Sequence, residues 1–327
     1  MFKSQIMGIG SYLPEKLLTN KDLESMVDTT DEWIFARTGI SQRHIADPSQ
    51  VTSDLALIAS QAALKEAGLE PKDIDFIFFA TTTPDQIMPS AASILQHKIG
   101  ASCGALDVYA ACSGFLYSLS IADQMIKTGV YKNILIVGAE ILSRFVDYED
   151  RTTCILFGDG AGAFILSRAD EKSKSEILGH KLGADGSLGD LLILPAGGTK
   201  HPATIETVQE KQHFVKMNGR EIFKNAVRAM SQCSKDVLEK TNTDPKDIDW
   251  LIPHQANTRI IEAVAKQFDI SMDKVILDIE NMGNTSSATV PCAMNTAVGM
   301  KKIKRGDLVM LTAFGGGLTS ASILLRY

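Results

Sequence analysis

The feature that most constrains the fold of this chain is an internal repeat. The hexapeptide PKDIDF at 71–76 recurs as PKDIDW at 245–250, and each copy leads from a helix-like segment into an apolar run. The stretch FGDGAGAFILSR at 157–168 has a counterpart in FGGGLTSASILLR at 314–326, where an aromatic residue and a glycine cluster again precede an apolar run. Because both matches occur in the same order, they predict two related halves.

We place the boundary between these halves after residue 169. The first domain is then 1–169 and the second 170–327. No Pro/Ser-rich segment resembles a flexible linker, so we expect the two halves to pack as one body.

Strand-like and helix-like segments alternate in both halves. The segment 52–68 predicts a helix with Thr52 or Ser53 as N-cap and Gly68 at its end, and 219–240 predicts a second amphipathic helix. This alternation predicts an α/β fold with helices packed on a sheet. Three continuous apolar runs are typical of strands buried on both faces: 74–81, 133–140 and 307–314.

Two stretches predict irregular structure. The segment 170–217 has many turn residues and predicts a crossover and surface excursion between the halves. The glycine-rich FGDGAGA at 157–163 lacks the lysine of a phosphate-binding loop and does not fit G-x-G-x-x-G. We therefore interpret it as a glycine-rich turn beneath a site.

Composition and charge limit the kinds of partner and the cellular compartment that we expect for this chain. The formal net charge of −6 disfavours nucleic acid as a partner, because phosphate binding depends on clustered Lys and Arg. The sequence shows no signal-peptide pattern and no apolar stretch near the roughly 20 residues of a membrane span, so we expect a cytoplasmic protein that binds no membrane. The five cysteines are widely separated, which predicts neither disulfides nor a metal site; apart from Cys112, we interpret them as packing residues, namely Cys103, Cys154, Cys233 and Cys292.

Cys112 is the candidate nucleophile. It lies in AACSGF (110–115), between a predicted strand at 105–111 and a predicted amphipathic helix at 113–129. A thiol at a helix N-terminus feels the positive end of the helix dipole, which can lower its pKa from about 8.5 to roughly 3.5–7.5. The competing interpretation is a buried packing thiol, since free cysteine is among the most buried residue types.

The second half supplies two polar partners for Cys112. His254 stands just past a predicted strand in DWLIPHQANTR (249–259), and Asn284 stands in a Gly-Asn turn before a predicted helix. Singly, each is an ordinary loop or turn residue. If the halves are related by pseudo-symmetry, however, equivalent strand ends converge, and open α/β sheets bind ligands at such ends. The pattern then predicts one site that contains Cys112, His254 and Asn284.

At the level of motifs the chain resembles the β-ketoacyl-acyl-carrier-protein synthase III family, the initiating condensing enzymes of the thiolase-like superfamily. The motifs AACSGF, PHQAN, GNTSSA, FGDGAGA and the terminal FGGG carry the resemblance, which extends from GIGSYLPE at 8–15 to the C-terminal ILLRY. It implies a thiolase-like α/β fold in which two pseudo-symmetric βαβαβαββ halves form a five-layered αβαβα architecture. The family is homodimeric, so the resemblance also implies a homodimer.

The resemblance implies a decarboxylative Claisen condensation. A short acyl-CoA, with acetyl-CoA favoured, acylates Cys112, and malonyl-acyl carrier protein then loses CO2 and attacks the acyl group. His254 and Asn284 would donate to the enolate oxygen, and the backbone N–H groups of Cys112 and Gly316 would hold the tetrahedral oxyanion. The products are a β-ketoacyl-carrier protein, CO2 and CoA, and no metal or redox cofactor is required.

Three further sets of residues follow from the resemblance. Trp33 and Arg37 lie one turn apart on a predicted helix and would stack on adenine, although an amphipathic helix with a solvated arginine is the alternative. Arg151, Gly219 and Asn257 would complete the CoA site.

Met88 stands where many members have a Phe that closes the partner subunit's acyl pocket, which leaves primer length and branching open. Lys224, Arg259 and Lys266 match the carrier-protein docking patch, with three solvated charges as the alternative.

Two alternatives to this function stay open at this level. One is a related condensing enzyme or acyltransferase of secondary metabolism, which would keep Cys112, His254 and Asn284 and take a different substrate. The other is a non-catalytic acyl-CoA-binding protein, which would have no use for a nucleophile opposite two hydrogen-bond donors. A thiolase proper is disfavoured because FGGGLTS contains no second cysteine.

Overall fold

The computed structural model describes residues 1–170 and 172–327, so Glu171, at the start of the expected segment 170–217, lies outside the described residues. The strands are β1 (Ser4–Tyr12), β2 (Lys16–Thr19), β3 (Gln42–Ile45), β4 (Phe76–Ala80), β5 (Gly104–Val108), β6 (Asn133–Ile141), β7 (Asp159–Arg168), β8 (Glu176–Ala184), β9 (Leu192–Ile193), β10 (Lys216–Met217), β11 (Trp250–Pro253), β12 (Leu308–Gly315) and β13 (Thr319–Arg326).

The helices are α1 (Asn20–Leu23), α2 (Asp31–Thr38), α3 (Thr52–Ala67), α4 (Ala91–Ile99), α5 (Gly114–Lys127), α6 (Arg151–Cys154), α7 (Ile205–Gln209), α8 (Gly219–Thr241), α9 (Thr258–Gln267), α10 (Ile279–Met282) and α11 (Thr289–Gly299). Short 3₁₀ turns precede β4, α5, β11 and α11, over Pro71–Asp73, Ala111–Ser113, Pro245–Asp247 and Ser286–Ala288.

Two mixed sheets share one strand order. The first runs β1-β7-β6-β4-β5, with β4 parallel to β5 and β6, and β7 antiparallel to its neighbours. The second runs β8-β13-β12-β11 with the corresponding directions, and a parallel bridge from Leu251 to Val275 stands in the place of a fifth strand. The repeated PKDID motif forms the same 3₁₀ turn before β4 and before β11. The predicted relationship between the halves is therefore confirmed in the topology.

The core divides into layers that follow from this pairing. One apolar cluster joins α3 and α4 to the outer face of the first sheet. A second cluster places α5 and α11 between the two sheets, with Phe115 and Phe164 packed edge to face at 4.8 Å. Two more clusters join α8 and α9 to the outer face of the second sheet. The five-layered αβαβα thiolase-like fold is thus confirmed, while the domain boundary after residue 169 stays a prediction.

The glycine-rich stretch at 157–163 is not a turn, contrary to the prediction. From Asp159 onward it forms β7, paired with both β1 and β6. Its glycines serve close packing of the central layer: a Cβ at Gly162 would lie 2.6 Å from the Pro291 side chain of α11. Glycine in a strand marks a close approach of another chain segment, and the sequence analysis misread that signal.

Two other expectations about local structure were wrong. The segment 170–217 contains the nine-residue strand β8, an edge strand of the second sheet. The polar residues of β8 interrupt the apolar pattern by which a strand is recognised in a sequence. The helix α3 begins at Thr52, and the N-cap is Val51, whose backbone N–H donates to the Asp54 carboxylate at 2.9 Å. The end of α3 at Gly68 is confirmed, with φ of 66°. In residues 1–170 and 172–327, no helix combines the length and apolarity needed to cross a membrane.

Candidate active site

A sharp corner between β5 and α5 carries Cys112. The strand ends at Val108, and the 3₁₀ turn over 111–113 enters α5 at Gly114. Ala111 has φ of 47°, in the left-handed region that side chains rarely adopt, and this conformation reverses the chain direction over a few residues. Cys112 consequently lies at the N-terminal end of α5, with its side chain at the wall of a cavity.

The protonation state of Cys112 differs from the prediction. The residue is only 8% exposed, and burial raises the pKa of its thiol to about 12. The Ser286 hydroxyl opposes this shift in the thiol pKa, and the negative charge of Glu140 adds to it. Loss of water around the sulfur is the largest cause of this shift, which is opposite in direction to the lowering of the pKa that a helix N-terminus can produce. With this pKa the Cys112 thiol carries its proton near pH 7, so an attack by its sulfur would require loss of that proton.

His254 follows β11 directly and is tied to the sheet. Its backbone N–H donates to the Thr312 carbonyl of β12 at 2.7 Å, and its Nδ1 lies 2.6 Å from the Thr289 hydroxyl of α11. Burial lowers the pKa of His254 to about 3, so the imidazole is neutral and carries one ring hydrogen. The single hydrogen of the Thr289 hydroxyl also has the Ser286 carbonyl within reach, at 3.0 Å; in the tautomer in which Thr289 donates to Nδ1 instead, the ring hydrogen is on Nε2, which can then donate into the cavity.

Asn284 is held by hydrogen bonds on both its backbone and its side chain. Its backbone N–H donates to the Leu156 carbonyl at 2.9 Å, and its carbonyl accepts from Gly158 at 3.0 Å. Its Oδ1 accepts from the Ser286 backbone N–H at 2.9 Å. The amide oxygen is thus occupied within the chain, which leaves the Nδ2 group as the donor that Asn284 offers to a ligand.

The predicted residues meet in one cavity of about 770 Å³. Cys112, His254 and Asn284 line its inner end, contributed by both halves of the molecule. The remaining predicted residues in its wall are Trp33, Arg37, Arg151, Gly219, Lys224, Asn257 and Arg259. The structure therefore brings together all of the predicted catalytic and CoA-binding side chains.

Trp33 lies between two arginines near the mouth of this cavity. The guanidinium carbons of Arg37 and Arg151 are 4.5 and 4.8 Å from its ring centroid. Asn257 caps α9 through its Oδ1 and donates from Nδ2 to the Arg37 carbonyl at 2.9 Å. This group of flat cations and an indole can stack on a planar aromatic base and attract phosphates.

Two predicted residues lie away from the cavity in the isolated chain. Met88 is 85% exposed and lines neither this cavity nor a second, smaller one. Lys266 is exposed on α9, two turns beyond Arg259, which itself lies near the Phe223 ring. Lys224 at the rim is paired with Glu221 at 2.8 Å.

A smaller cavity of about 350 Å³ also has Cys112 in its wall. Gly316 lines it, as do Leu142, Leu192 and other mainly apolar side chains. The neighbouring Gly315 passes so close to Cys112 that a Cβ there would lie 2.5 Å from the Cys112 backbone nitrogen. The C-terminal glycine loop thus borders the backbone N–H of the nucleophile.

Three residues of the site were not predicted from the sequence: Glu140, Ser286 and Thr289. Glu140 is completely buried near the end of β6 and accepts hydrogen bonds from Ser286, among others. One signal was available, because an acidic residue closes the otherwise apolar run NILIVGAE. Within residues 1–170 and 172–327, no cluster of three His, Cys, Asp or Glu side chains has an arrangement that could hold a metal.

Comparison with known proteins gives one consistent family. A family profile described as 3-oxoacyl-[acyl-carrier-protein (ACP)] synthase III matches residues 106–186, and the profile of its C-terminal part matches 238–327. The chain is 52% identical over 323 residues to a β-ketoacyl-[acyl-carrier-protein] synthase III of Caldanaerobacter subterraneus subsp. tengcongensis, covering 98% of this chain and 97% of the relative. A protein of the same name from Xanthomonas euvesicatoria pv. vesicatoria is 51% identical, with 99% and 98% covered.

Solved structures agree with these relatives. The crystal structure of 3-oxoacyl-[acyl-carrier-protein] synthase III from Aquifex aeolicus VF5 superposes with a TM-score of 0.91 at 46% identity, covering 99% of this chain and all of that one. The corresponding structure from Pseudomonas aeruginosa PAO1 gives a TM-score of 0.92 at 38% identity, with 99% and 98% covered. The similarity thus extends over nearly the full length of each chain.

Proposed function

The chain belongs to the 3-oxoacyl-[acyl-carrier-protein] synthase III family, and we propose that it condenses the acetyl group of acetyl-CoA with malonyl-acyl carrier protein. It is a condensing acyltransferase that initiates fatty acid synthesis. The observation that carries the proposal is the convergence of Cys112, His254 and Asn284 on one cavity.

The first half-reaction is acyl transfer to Cys112. The thiol loses its proton, the sulfur bonds to the thioester carbon of acetyl-CoA, and CoA leaves as a thiolate that takes a proton from solvent. Backbone N–H groups of Cys112 and Gly316 hold the oxyanion of the tetrahedral intermediate. The close approach of the glycine loop to the Cys112 nitrogen supports this pairing.

The second half-reaction is decarboxylation and carbon–carbon bond formation. Malonyl-carrier protein loses CO2, and the electron pair of the broken bond forms an enolate at the thioester. Asn284 Nδ2–H donates to the enolate oxygen, as does His254 Nε2–H in the tautomer in which Nδ1 accepts from Thr289. The enolate carbon attacks the acyl group, and the Cys112 sulfur leaves. These steps require no metal or redox cofactor.

The outer part of the larger cavity would bind CoA. Trp33, Arg37 and Arg151 would contact the adenine and phosphates, with Gly219 and Asn257 along the pantetheine arm. The smaller, mainly apolar cavity of about 350 Å³ suits a short acyl chain. Lys224, Arg259 and Lys266 would dock the acidic carrier protein, mainly by raising its association rate.

An exposed apolar edge supports a homodimer. β5 is an edge strand, and Leu106 on it and Tyr109 just after it are exposed in the single chain, as are Ile87 and Met88 in the segment before α4. Association through this edge would cover these side chains and bring Met88 toward the acyl pocket of the partner subunit. We place the enzyme in the cytoplasm, where acyl-CoA and carrier protein are available.

The test is the intact mass of the protein after mixing with acetyl-CoA, for wild type, Cys112→Ala and a control, Cys103→Ala. One added acetyl group is expected on wild type and control and not on Cys112→Ala, and malonyl-carrier protein should discharge it. An adduct only from longer or branched acyl-CoA would keep the mechanism and change the primer. The absence of any adduct would overturn the covalent mechanism.

A further inference from the structure

Arg43 is a buried cation to which the proposed reaction assigns no role. It lies on β3 with no exposed surface. Burial lowers the pKa of its guanidinium to about 10, so the group keeps its positive charge near pH 7. Arginine is rarely buried without a carboxylate partner, because taking a charge out of water is costly. Among the described residues the hydrogen-bond acceptors of Arg43 are neutral, namely the Asn20 side-chain amide and the Ile155 carbonyl.

These hydrogen bonds fix the direction of the guanidinium. Nη1 donates to Asn20 Oδ1 at 2.6 Å, while Nε and Nη2 both donate to the Ile155 carbonyl, Nε at 3.2 Å. Asn20 is itself held, since its Nδ2 donates to the Asp31 carboxylate and to the Ile40 carbonyl, each at 2.7 Å. The guanidinium carries its donors in a rigid plane, so these bonds tie the Ile155 carbonyl to the anchored Asn20 amide.

The segment that begins at Ile155 is the one that holds Asn284. The Leu156 carbonyl accepts from the Asn284 backbone N–H at 2.9 Å, and the Gly158 N–H donates to the Asn284 carbonyl at 3.0 Å. The residue between these two forms a parallel bridge with Asn284. The carbonyl that Arg43 binds and the carbonyl that Asn284 binds therefore belong to adjacent residues.

The stem of Arg43 packs against both sides of this bridge. A Cβ at Gly283 would lie 3.0 Å from Arg43 Cγ, and a Cβ at Gly158 would lie 3.3 Å from Arg43 Cβ. Gly283 directly precedes Asn284 in the chain and has φ of 65°. With Arg43 in place, neither the Asn284 turn nor the segment that begins at Ile155 can shift toward β3.

We propose that Arg43 is a positioning residue for Asn284. Its guanidinium holds the segment 155–158 and its stem supports the Asn284 turn, which keeps Asn284 Nδ2 directed at the enolate oxygen. Arg43 lines neither of the two cavities, so it acts on the reaction only through the residues that it holds. The inference rests on the proposed function, because the enolate forms only in the condensation step.

Arg43→Met tests this role, because methionine keeps much of the apolar stem and removes the guanidinium. The condensation rate should fall about 10²-fold, the loss that a misplacement of about 1 Å can produce. Acetylation of Cys112 at saturating acetyl-CoA should persist, because it does not use the Asn284 amide. Arg144→Met is the matched control, since Arg144 also donates to backbone carbonyls, in the segment 47–50, and lines neither cavity.

The decisive measurement repeats Arg43→Met in the Asn284→Ala background. If Arg43 acts through Asn284, no amide remains to be misplaced, and the second substitution should lower the condensation rate by less than about threefold. A further loss of about 10²-fold would overturn the inference, because it would show that Arg43 supports the fold or another group. If Arg43→Met does not fold, Arg43→Lys, which keeps the charge on a single nitrogen, is measured in the same two backgrounds with the same criterion.

A crystal structure of the same Arg43 variant separates this inference from the proposed function, because it requires no activity. Asn284 Nδ2 should lie about 1 Å or more from its position in the wild-type protein, with Cys112 and His254 unmoved. An unmoved Asn284 would overturn the inference even if the wild type condenses acetyl-CoA with malonyl-carrier protein. A displaced Asn284, in a protein whose wild type shows no condensation, would support the positioning role and overturn the proposed function.

Discussion

Two corners of the molecule have nearly the same backbone and different chemical tasks. In the first half, Ala111 at φ 47° opens a 3₁₀ turn that enters α5, and in the second half Ser286 at φ 51° opens a 3₁₀ turn that enters α11. The middle residue of the first turn is Cys112, with its thiol at the cavity wall. The middle residue of the second is Ser287, buried against the end of the first sheet.

The difference shows how a repeated fold acquires one asymmetric site. Both turns bring a helix N-terminus to the centre of the molecule, because α5 and α11 pack between the two sheets. The first corner supplies the proposed nucleophile, and the second supplies hydrogen bonds to Asn284, Glu140 and His254. The backbone geometry is therefore shared, and the residue types at the turns decide the chemistry.

The variants His254→Ala and Asn284→Ala should distinguish the functions of the two corners most clearly. Each variant removes one donor to the enolate and should lower the condensation rate about 10²–10³-fold. Acetylation of Cys112 should persist, because it depends on the first corner. Product formation and the acetyl adduct are both read by mass spectrometry.

Asn295→Ala is the control, because Asn295 also lies on α11 but does not line the cavity. Its side-chain amide donates a hydrogen bond to the Ser11 hydroxyl instead. Loss of the acetyl adduct to the same extent as loss of condensation would contradict a division of labour between the corners.

Gly315→Ala should disturb the first corner alone. Its Cβ would lie 2.5 Å from the Cys112 backbone nitrogen, so the nucleophile or the glycine loop must shift. A misplacement of about 1 Å can reduce rates by about 10²-fold, and acetylation should fall by that amount. Gly299→Ala, where a Cβ meets nothing within 4 Å, is the control. Normal acetylation in Gly315→Ala would mean that the loop does not contribute to the oxyanion site.

The smallest effect concerns His254 and the pH dependence of stability. Its pKa is about 3 in the folded protein and about 6.5 when unfolded, so between these values the unfolded chain binds more protons. Stability from this group is therefore complete above pH 6.5 and lost as pH falls toward 3, at about 1.4 kcal/mol per pH unit. Urea unfolding between pH 4.5 and 7 should show a shallower pH dependence in His254→Gln than in wild type. Equal slopes would mean that burial does not hold the imidazole neutral.

Much of the fold could be predicted because its signals are local. The buried strands β6 and β12 and the helices α3 and α8 follow from continuous or periodic apolar patterns. β8 was not predicted, because an edge strand that contains polar residues shows neither a continuous nor a periodic apolar pattern. The glycines of β7 were misread because their meaning depends on α11, which lies over a hundred residues further along the chain.

The sequence by itself determined the repeat, the strand-to-helix corners and the residue types placed at them, because these depend on periodicity and on short motifs. Only the tertiary structure decided which side chains meet and in which protonation state. Glu140 and Ser286 are 146 residues apart in the sequence, and their hydrogen bond exists only because the two halves pack together. The pKa values of Cys112 and His254 followed burial, which is a property of the packed molecule and not of any motif.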